Sequence, residues 1–595
     1  MLHYLMQLTS FDPGSWARAA VLAIVRSLFE GAGLLLLIPV LAIAGFSEGE
    51  AIPSNIVNSI RDVLAYLAIP ATPASLLLLF MTLAILRAVT GFAYNTCATD
   101  LYARYCSHLR TDLYKNLSYA NWGYLGQSTL SRYSHALTAQ VNELGQSLWR
   151  VQGLFSSVIT GSVGLFVSLM ISPKLTFIAL GVAAILGVAV IPFDRRIRKL
   201  SAQSNTQQGQ LYEQFAQHID GLKVAKSFNA EEAHISEYLA VSDRFVNSSL
   251  AIMRTNHWSM MMHRLAAAAA LAAFVYFILS STSGALLEPV LLIIVFARLV
   301  PHARTIQNNA VQIFSILPLY ESYQTLMAES DSAAEAVPTQ AISNIIFEES
   351  LDIQNLGFSY AGRQDGWSLK RVNIEIPVHQ ATAIIGPSGA GKTTLTDLLA
   401  GLVEPTSGNI SVDSLVIDRS NIRAWRHQIG YVPQETFLTN RSIRHNVTLG
   451  KASASEEEIW GALTLAEITS LVRNLPDGLD TYIGDKGVQL SRGQGQRLAL
   501  ARALLTKPSV LILDEATSSL NPTDEAAIIE TLQKLRDKVT MIIVAHRPSF
   551  LHWVDHIVIL RDGEIEDQGS WQNIAARDTY LRAMIDAERN WPIPS

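Results

Sequence analysis

The residues best suited to chemistry form a glycine-rich run that fits the phosphate-loop pattern G-x-x-x-x-G-K-[ST]: Gly386-Pro387-Ser388-Gly389-Ala390-Gly391-Lys392-Thr393. The run follows a short buried strand predicted over 381–385, and a predicted helix begins with Thr394. The glycines let several backbone N–H groups point at one anion, and a helix N-terminus favours the same negative charge. We therefore predict that Lys392 reaches the phosphates of a nucleoside triphosphate and that the Thr393 hydroxyl holds Mg²⁺.

A second group of candidates ends a hydrophobic strand predicted over 510–513. Two carboxylates, Asp514 and Glu515, follow this strand directly. The carboxyl ends of strands in α/β sheets are where such sheets bind ligands. We predict that Asp514 holds the Mg²⁺ through water and that Glu515 orients or deprotonates the attacking water.

The composition indicates that only part of the chain is a soluble domain. Of the 595 residues 49% are hydrophobic and 16% are charged, which is too apolar for one soluble globule. Long apolar runs precede about Pro318, whereas the sequence after about Ile345 is typical of a soluble α/β protein. The net charge of −6 gives no support for nucleic-acid binding. Two cysteines, Cys97 and Cys106, exclude a disulfide scaffold and a Cys-based zinc site.

The apolar part predicts a membrane domain, since a helix needs about 20 apolar residues to cross the lipid bilayer. Six stretches are predicted to span it, at about 16–46, 75–96, 148–171, 175–192, 260–280 and 286–300. Lys and Arg concentrate in 102–150 and 194–257, so the positive-inside rule places both termini in the cytosol. Those two loops also have helical patterns. We therefore expect helices that continue below the bilayer and turn near 120–127 and 220–230.

Three parts follow from these patterns. We predict a transmembrane domain over 1–327, a linker rich in Ala, Ser and Glu over 328–344, and a nucleotide-binding domain over 345–595.

A third motif stands between the phosphate loop and the acid pair: Leu490-Ser491-Arg492-Gly493-Gln494. With the three motifs in this order, the chain resembles the ATP-binding cassette (ABC) transporter family, in its exporter-type half-transporter form, over essentially its whole length. The resemblance implies an α-helical membrane domain of six helices, followed by an α/β P-loop NTPase domain that hydrolyses ATP. It also implies a dimer that sandwiches two ATP molecules, so that Ser491, Gly493 and Gln494 contact the ATP of a second half-transporter.

Three more residues match the pattern of that family. The resemblance implies that Tyr360 stacks on adenine and that Gln434 touches Mg²⁺ and senses the membrane domain. It also implies that His546 contacts the γ-phosphate, which places it with Glu515 and Gln434 among the catalytic residues.

Three positions depart from the family pattern. Arg492 stands where the usual signature has Gly, Asn521 stands where the dimer-contact loop usually ends in Asp, and Asp485 stands where Glu is more common. These departures bear on how tightly the dimer is coupled. They do not bear on hydrolysis, because the phosphate-loop lysine and the acid pair are present.

Charged residues in the apolar stretches are the candidates for a substrate cavity. Glu30 and Arg87 lie within predicted spans, where a charge is costly unless it has a partner or faces a wet cavity. Arg26 precedes Glu30 by one helical turn and is one such partner. Arg298 and His302 begin a polar series along the sixth helix. We predict that Glu30, Arg87, Arg298 and His302 line the cavity.

The favoured hypothesis is ATP-driven export or flipping of a lipid, a peptide or another amphipathic small molecule across a bacterial inner membrane. A homodimer is favoured over a heterodimer, because the motifs are complete enough for two equal sites. An alternative is an importer of a metal chelate such as a siderophore, since the sequence carries no signal of direction. A third hypothesis is a channel-like protein gated by ATP, and Glu515 argues against it.

Overall fold

The structure is a computed structural model that describes residues 2–41, 66, 70, 72–126, 129–188, 191–281, 287–335, 345–360, 366–484, 488–516, 522–545, 547–578 and 581–582. The chain divides into two compact units. The first comprises Met1–Ala120 and Gln127–Ala333, and the second comprises Asn121–Gly126 and Ala334–Ser595.

The first unit is built from helices. They are α1 (Leu2–Ser10), α2 (Pro13–Leu41), α3 (Pro73–Tyr119), α5 (Leu130–His135), α6 (Val141–Ile171), α7 (Pro173–Val188), α8 (Ile191–Ser227), α9 (Glu231–Ser281) and α10 (Leu287–Ser332). A π-helical turn, Ala136–Gln140, joins α5 to α6. The short helix α4 (Trp122–Leu125) belongs to the second unit.

Local signals in the sequence set the ends of these helices. Thr72 begins α3 with a capping box shared with Ser75, and Pro73 occupies the first turn, where its missing N–H leaves no bond unmade. At the end of α8, Asn229 has a φ of +52°, the left-handed conformation that stops a helix. The turns predicted near 120–127 and 220–230 are confirmed.

The long helices exceed what a bilayer requires. Helix α3 has 47 residues and α9 has 51, against the roughly 20 that cross the hydrocarbon core. This confirms the prediction of helices that extend beyond the membrane. Among the described residues, Pro73–Tyr119 and the stretch Leu130–Ile171 are long and apolar enough to span it.

The six predicted spans lie on α2, α3, α6, α7, α9 and α10, apart from 191–192, which begin α8. Residues 42–46, 189–190 and 286 of these predictions lie outside the described residues. Helix α10 continues through Ser332 into the first residues of the predicted linker, because Leu326 and Ser330 are still buried against neighbouring helices. Within the unit α10 packs on α6, α9 packs on α8, and α2 packs on α3.

The second unit is an α/β domain with two sheets. Its strands are β1 (Ser350–Phe358), β2 (Leu369–Pro377), β3 (Ala381–Ile385), β4 (Ser407–Val412), β5 (Leu415–Val416), β6 (Ile429–Val432), β7 (Val510–Asp514), β8 (Thr540–Val544), β9 (His556–Arg561) and β10 (Glu564–Gly569). One sheet is antiparallel in the order β2-β1-β4-β5. The other has the order β10-β9-β3-β8-β7-β6, and all of its strands except β10 run parallel.

Helices connect and cover these strands. They are α11 (Lys392–Leu399), α12 (Ile422–Arg426), α13 (Ile443–Val447), α14 (Glu456–Leu465), α15 (Thr469–Arg473), α16 (Arg492–Leu505), α17 (Pro522–Leu535) and α18 (Trp571–Arg577).

The parallel sheet is buried on both faces, which explains why its strands are apolar throughout. Successive side chains alternate between two cores. Leu511 and Leu513 of β7 face the core that α14, α16 and α17 cover, whereas Val510 and Ile512 face the core shared with the antiparallel sheet. This packing fixes the register of β3 and β7, and with it the place where each strand ends.

Candidate functional site

The candidate site lies at one edge of the parallel sheet, where four strands end. The phosphate loop follows β3, Gln434 follows β6, Glu515 follows β7, and Ala545 follows β8. Because β8 lies between β3 and β7, and β6 lies beside β7, these four carboxyl ends are neighbours. Such an edge is where open α/β sheets bind ligands, as predicted for Asp514 and Glu515.

The phosphate loop needs glycine at both of its ends. Gly386 has a φ of +154°, and a Cβ atom there would clash with the carbonyl oxygen of Leu560. Gly391 has a φ of +101°, and its Cβ would lie 2.7 Å from the carbonyl oxygen of Ser368. Between them Ser388 and Gly389 are exposed at the top of the loop. The loop thus holds its backbone N–H groups at the start of α11, where a phosphate is favoured.

Lys392 is folded back into this loop. Its side chain is buried, and Nζ donates hydrogen bonds to the carbonyl oxygens of Gly386 at 2.9 Å and Pro387 at 3.0 Å. Burial lowers the pKa of this ammonium group, and the carboxylates of Glu515 and Asp514 oppose that shift. The positive charge is therefore held between the phosphate loop and the acid pair.

Asp514 has the features of a cation ligand. Its side chain is 1% exposed, and both carboxylate oxygens lack a hydrogen bond among the described residues, although the hydroxyls of Thr393 and Thr396 face it. Burial raises the pKa of Asp514, and the nearby Glu515 adds to the shift. A buried carboxylate without a donor fits Mg²⁺, which prefers oxygen ligands. Asp514 and the Thr393 hydroxyl are therefore suited to hold the ion.

Glu515 and Gln434 are brought together by adjacent strands. Gln434 Nε2 donates a hydrogen bond of 2.6 Å to Glu515 Oε2. Glu515 itself has a φ of +49°, an uncommon conformation for a residue other than glycine that is often found at active sites. Its backbone N–H donates to the carbonyl oxygen of Val544, 3.3 Å away, so β8 holds the strained residue in place.

Tyr360 lies beside the helix that carries the phosphate loop. Its hydroxyl is 3.5 Å from the Thr394 hydroxyl, its ring meets Phe358 edge-on with 4.8 Å between the centroids, and 39% of the residue is exposed. A half-exposed aromatic ring at this place offers a face on which a base could stack.

The third motif forms the beginning of α16. Ser491 is the N-cap, and its hydroxyl accepts a hydrogen bond from the Gln494 backbone N–H at 3.3 Å. The Gln494 side-chain oxygen accepts in return from the Ser491 backbone N–H at 2.8 Å. Ser491 and Arg492 are exposed, and Gly493 is half-buried. The motif therefore presents a helix N-terminus and a guanidinium group to the surface, both of which favour an anion.

Three residues of the sequence predictions lie outside the described residues. They are His546, Asn521 and Asp485. Their roles stay predictions.

Asp397 is a residue of the site that the sequence predictions missed. It lies on α11, accepts a hydrogen bond from Tyr431 of β6, and is close to Asp514. Burial raises the pKa of this carboxyl group to about 6, and the charge of Asp514 adds to the shift. The spacing within α11 places Asp397 one turn after Thr393, which is the only hint that the sequence offers.

The charged residues predicted to line a substrate cavity form a cluster in the first unit. Arg87 pairs with Glu30 at 3.1 Å, and His302 Nε2 lies 3.8 Å from the second oxygen of Glu30. Arg298, Glu30 and His302 border a void of about 10 Å³, which is room for about one water molecule. In this conformation Arg87 and His302 approach the two oxygens of Glu30, and Arg298 borders the void beside them. That they contact a substrate stays a prediction.

Both units match known protein families. The ABC transporter family matches residues 369–518, and the ABC transporter transmembrane region matches residues 36–300. An uncharacterised ABC transporter ATP-binding protein of Bacillus subtilis is 30% identical over 80% of this chain and 83% of its own length. The heterocyst differentiation ATP-binding protein HepA of a Nostoc species is 27% identical over 94% of this chain and 92% of its own.

Two further comparisons bear on function and fold. An ATP-dependent lipid A-core flippase of Desulfotalea psychrophila is 30% identical over 67% of this chain and 70% of its own. Among solved structures, a bacterial Atm1-family ABC exporter with ATP bound superposes with a TM-score of 0.79, covering 98% of this chain and 100% of that one at 22% identity. The helical membrane unit and the α/β nucleotide unit together have this exporter fold.

Proposed function

The chain belongs to the ABC transporter family as an exporter-type half-transporter, and we propose that two copies of it form the working machine. Transport is driven by ATP hydrolysis in the α/β domain. The cargo that we propose is an amphipathic molecule, such as a lipid or a peptide, exported or flipped by alternating access of the dimer.

The observation that carries this proposal is the convergence of Lys392, Asp514 and the Gln434–Glu515 pair at one edge of the sheet. Lys392 would leave the loop carbonyls for the β- and γ-phosphates of ATP, which offer stronger, charge-assisted hydrogen bonds. Gln434 holds Glu515 by a hydrogen bond, so that the carboxylate can orient the attacking water and accept its proton. His546 would contact the γ-phosphate from the end of β8.

We propose Asp514, Thr393 and Gln434 as the residues that hold Mg²⁺. The ion, when bound, neutralises charge that develops on the phosphates. The buried carboxylate of Asp514 supports this assignment, because the charge of Lys392 and the hydroxyls of Thr393 and Thr396 offset only part of its loss of water.

The dimer follows from the arrangement of the signature. Ser491, Gly493 and Gln494 begin α16 at an exposed helix N-terminus, and each chain carries one such motif and one phosphate loop. We propose that the motif of one chain binds the γ-phosphate of the ATP held by the partner. Arg492 would add a positive charge at that contact. Two equal sites favour a homodimer.

The direction and the location are parts of the same proposal. The relative from Desulfotalea psychrophila is named as a lipid A-core flippase, which favours outward movement of an amphipathic cargo. The positive residues of 102–150 and 194–257 favour cytosolic termini in a bacterial inner membrane. Import of a metal chelate remains the alternative.

The test uses the purified chain in lipid nanodiscs and in inside-out vesicles. We expect ATP hydrolysis that requires Mg²⁺ and stops in excess EDTA, together with ATP-dependent uptake of cargo into inside-out vesicles. Uptake into right-side-out vesicles instead would establish the importer. A dimer that binds ATP but does not hydrolyse it would contradict the proposed function.

A further inference from the structure

A polar cavity lies in the helical membrane unit, apart from the Glu30 cluster. It has a volume of about 290 Å³, is open on one side and is lined by α6, α8, α9 and α10. Its lining comes from helix segments at the ends of four predicted spans, 148–171, 175–192, 260–280 and 286–300. The cavity therefore lies where the apolar part of the membrane unit gives way to its polar part.

Charges of both signs line this cavity. Glu143 and Arg150 come from α6, Asp194 from α8 and Arg304 from α10. Within the part of the chain that the structure describes, none of these four side chains forms an ion pair. Glu143 and Arg150 partly compensate each other's charge at longer range. The lining as a whole still presents both signs of charge to whatever fills the cavity, and buried charge is costly unless a ligand or water compensates it.

A chain of hydrogen bonds fixes one of the acidic groups. Gln307 Nε2 donates to Asp194 Oδ2 at 2.8 Å, so the amide oxygen of Gln307 faces the ring of His263. The other ring nitrogen of His263 is 2.8 Å from the carbonyl oxygen of Ser259. Both ring nitrogens therefore face acceptors, and both donate when the ring is protonated. The chain joins α8, α9 and α10 and holds Asp194 at the cavity wall.

Uncharged polar groups complete the lining. Asn205, Asn256, Asn308 and Gln312 offer amide groups that both donate and accept hydrogen bonds. A few apolar side chains, such as Val311, lie among them. This set suits a ligand with amide or hydroxyl groups between its charges, whereas a purely apolar ligand would leave the amides without partners.

We propose that this cavity binds a zwitterionic polar group, with an ammonium group at one end and a carboxylate or phosphate at the other. The inference rests on the proposed function, whose cargo site it identifies. A ligand of one charge sign would meet a like charge and leave the opposite groups unpaired. The volume is at the lower end of ligand sites, so it suits a short peptide or the headgroup of a zwitterionic lipid.

The test measures binding by isothermal titration calorimetry to the full chain in phosphatidylglycerol nanodiscs, without nucleotide. The peptide probes are triglycine, N-acetyltriglycine and triglycine amide, which are zwitterionic, anionic and cationic. The lipid probes are dihexanoyl phosphatidylethanolamine and dihexanoyl phosphatidylglycerol. We expect triglycine, dihexanoyl phosphatidylethanolamine or both to bind. Binding of triglycine would identify the ligand as a peptide, and binding of dihexanoyl phosphatidylethanolamine would identify it as a lipid headgroup.

Two neutral variants and one control examine the cavity itself. Glu143→Gln and Arg304→Gln should each weaken binding of the zwitterionic probe about tenfold, the usual effect of losing one charge-assisted contact. Arg254→Gln removes an exposed charge of α9 outside the cavity lining and should bind as the wild type does. Three outcomes would overturn the inference. They are equal binding of all probes, no binding of either zwitterion, and a loss of affinity in Arg254→Gln as large as that in Glu143→Gln and Arg304→Gln.

This experiment is separate from the test of the proposed function. Calorimetry without nucleotide does not depend on hydrolysis. A chain that hydrolyses Mg²⁺-ATP but shows no zwitterion selectivity retains the proposed function and loses only the cavity inference. A chain that binds zwitterions selectively but does not hydrolyse ATP retains the cavity inference and loses the proposed function.

Discussion

At the scale of single residues, Glu515 and Lys392 belong to one site but differ in what they touch. Glu515 is proposed to act on the attacking water, so the effect of its loss should fall on the transition state. Glu515→Gln keeps the shape and the contact with Gln434 and should leave ATP binding largely intact. Hydrolysis should slow on the order of 10²–10³-fold, as when one transition-state contact is removed. Steady-state ATPase rates and ATP affinity measure the two effects, and near wild-type hydrolysis would remove Glu515 from this role.

Lys392 is proposed to contact the phosphates in the ground state as well as in the transition state. Lys392→Ala should therefore weaken ATP binding by about tenfold or more, since charge-assisted hydrogen bonds to the phosphates are lost. Calorimetric titration with ATP and Mg²⁺ gives the affinity. An unchanged affinity would mean that the loop does not bind phosphates in the way proposed.

Asp397 makes the stability of the nucleotide domain depend on pH. Its pKa is about 6 in the folded domain and about 3.9 in an unfolded chain, so between these values only the folded state keeps the proton. The contribution of Asp397 to the free energy of unfolding therefore falls as pH rises from about 4 to 6. Above about pH 6 it falls no further. Asp397→Asn keeps a partner for Tyr431 and has no charge to bury.

The variant should match the wild type below about pH 4 and exceed it in stability by about 3 kcal/mol at pH 8. Thermal unfolding of the purified chain without nucleotide, followed from pH 4 to pH 8, measures the difference. A difference that stays constant across this range would show that the carboxyl group of Asp397 does not titrate differently in the folded state.

At the scale of elements, two helices of the nucleotide domain begin with the same capping box and allow a matched comparison. Ser491 and Gln494 cap α16, and Ser455 and Glu458 cap α14. Ser491→Ala and Ser455→Ala should each cost about 1 kcal/mol of stability, because an N-cap hydroxyl is lost. Only Ser491→Ala should also lower the ATPase rate, because only Ser491 is proposed to contact nucleotide.

Thermal unfolding and ATPase rates separate the two effects. Ser491→Thr keeps a hydroxyl at the cap and should recover both properties in large part. If Ser455→Ala slowed hydrolysis as much as Ser491→Ala, the contribution of Ser491 would be structural alone.

At the scale of the whole molecule, the proposed dimer divides each ATP site between two chains. A chain with Lys392→Ala lacks a working loop, and a chain with Ser491→Arg lacks a working signature. Each homodimer then has two damaged sites. A mixed dimer places both defects in one site and leaves the other intact. We expect mixed dimers, purified through two different affinity tags, to hydrolyse ATP when neither parent does.

If each ATP site lay within one chain, the mixed dimer would contain no intact site. Its activity would then stay at the level of the parents. Mixed dimers of wild type with Lys392→Ala, purified in the same way, provide the control for expression and assembly.

The sequence alone determined the family and the order of the two domains, and it predicted the residues of the candidate nucleotide site. This was possible because phosphate loop, signature and acid pair are short, local motifs whose backbone requirements limit the residues that fit. Gly386 and Gly391 are examples, since no side chain fits at either position. The positions of the membrane helices were also predictable, because apolar runs and their charged flanks are continuous in sequence.

Tertiary structure decided what depends on contacts between distant segments. Sequence spacing offered Arg26 as the partner of Glu30, yet the ion pair is with Arg87, which lies on another helix. Asp397 gains its raised pKa because packing buries it and β7 brings the charge of Asp514 close, while the hydrogen bond from Tyr431 of β6 opposes that shift. The polar cavity combines residues from four helices that no local pattern connects. Burial and charge compensation arise from packing between elements, and the order of residues in the chain does not encode them locally.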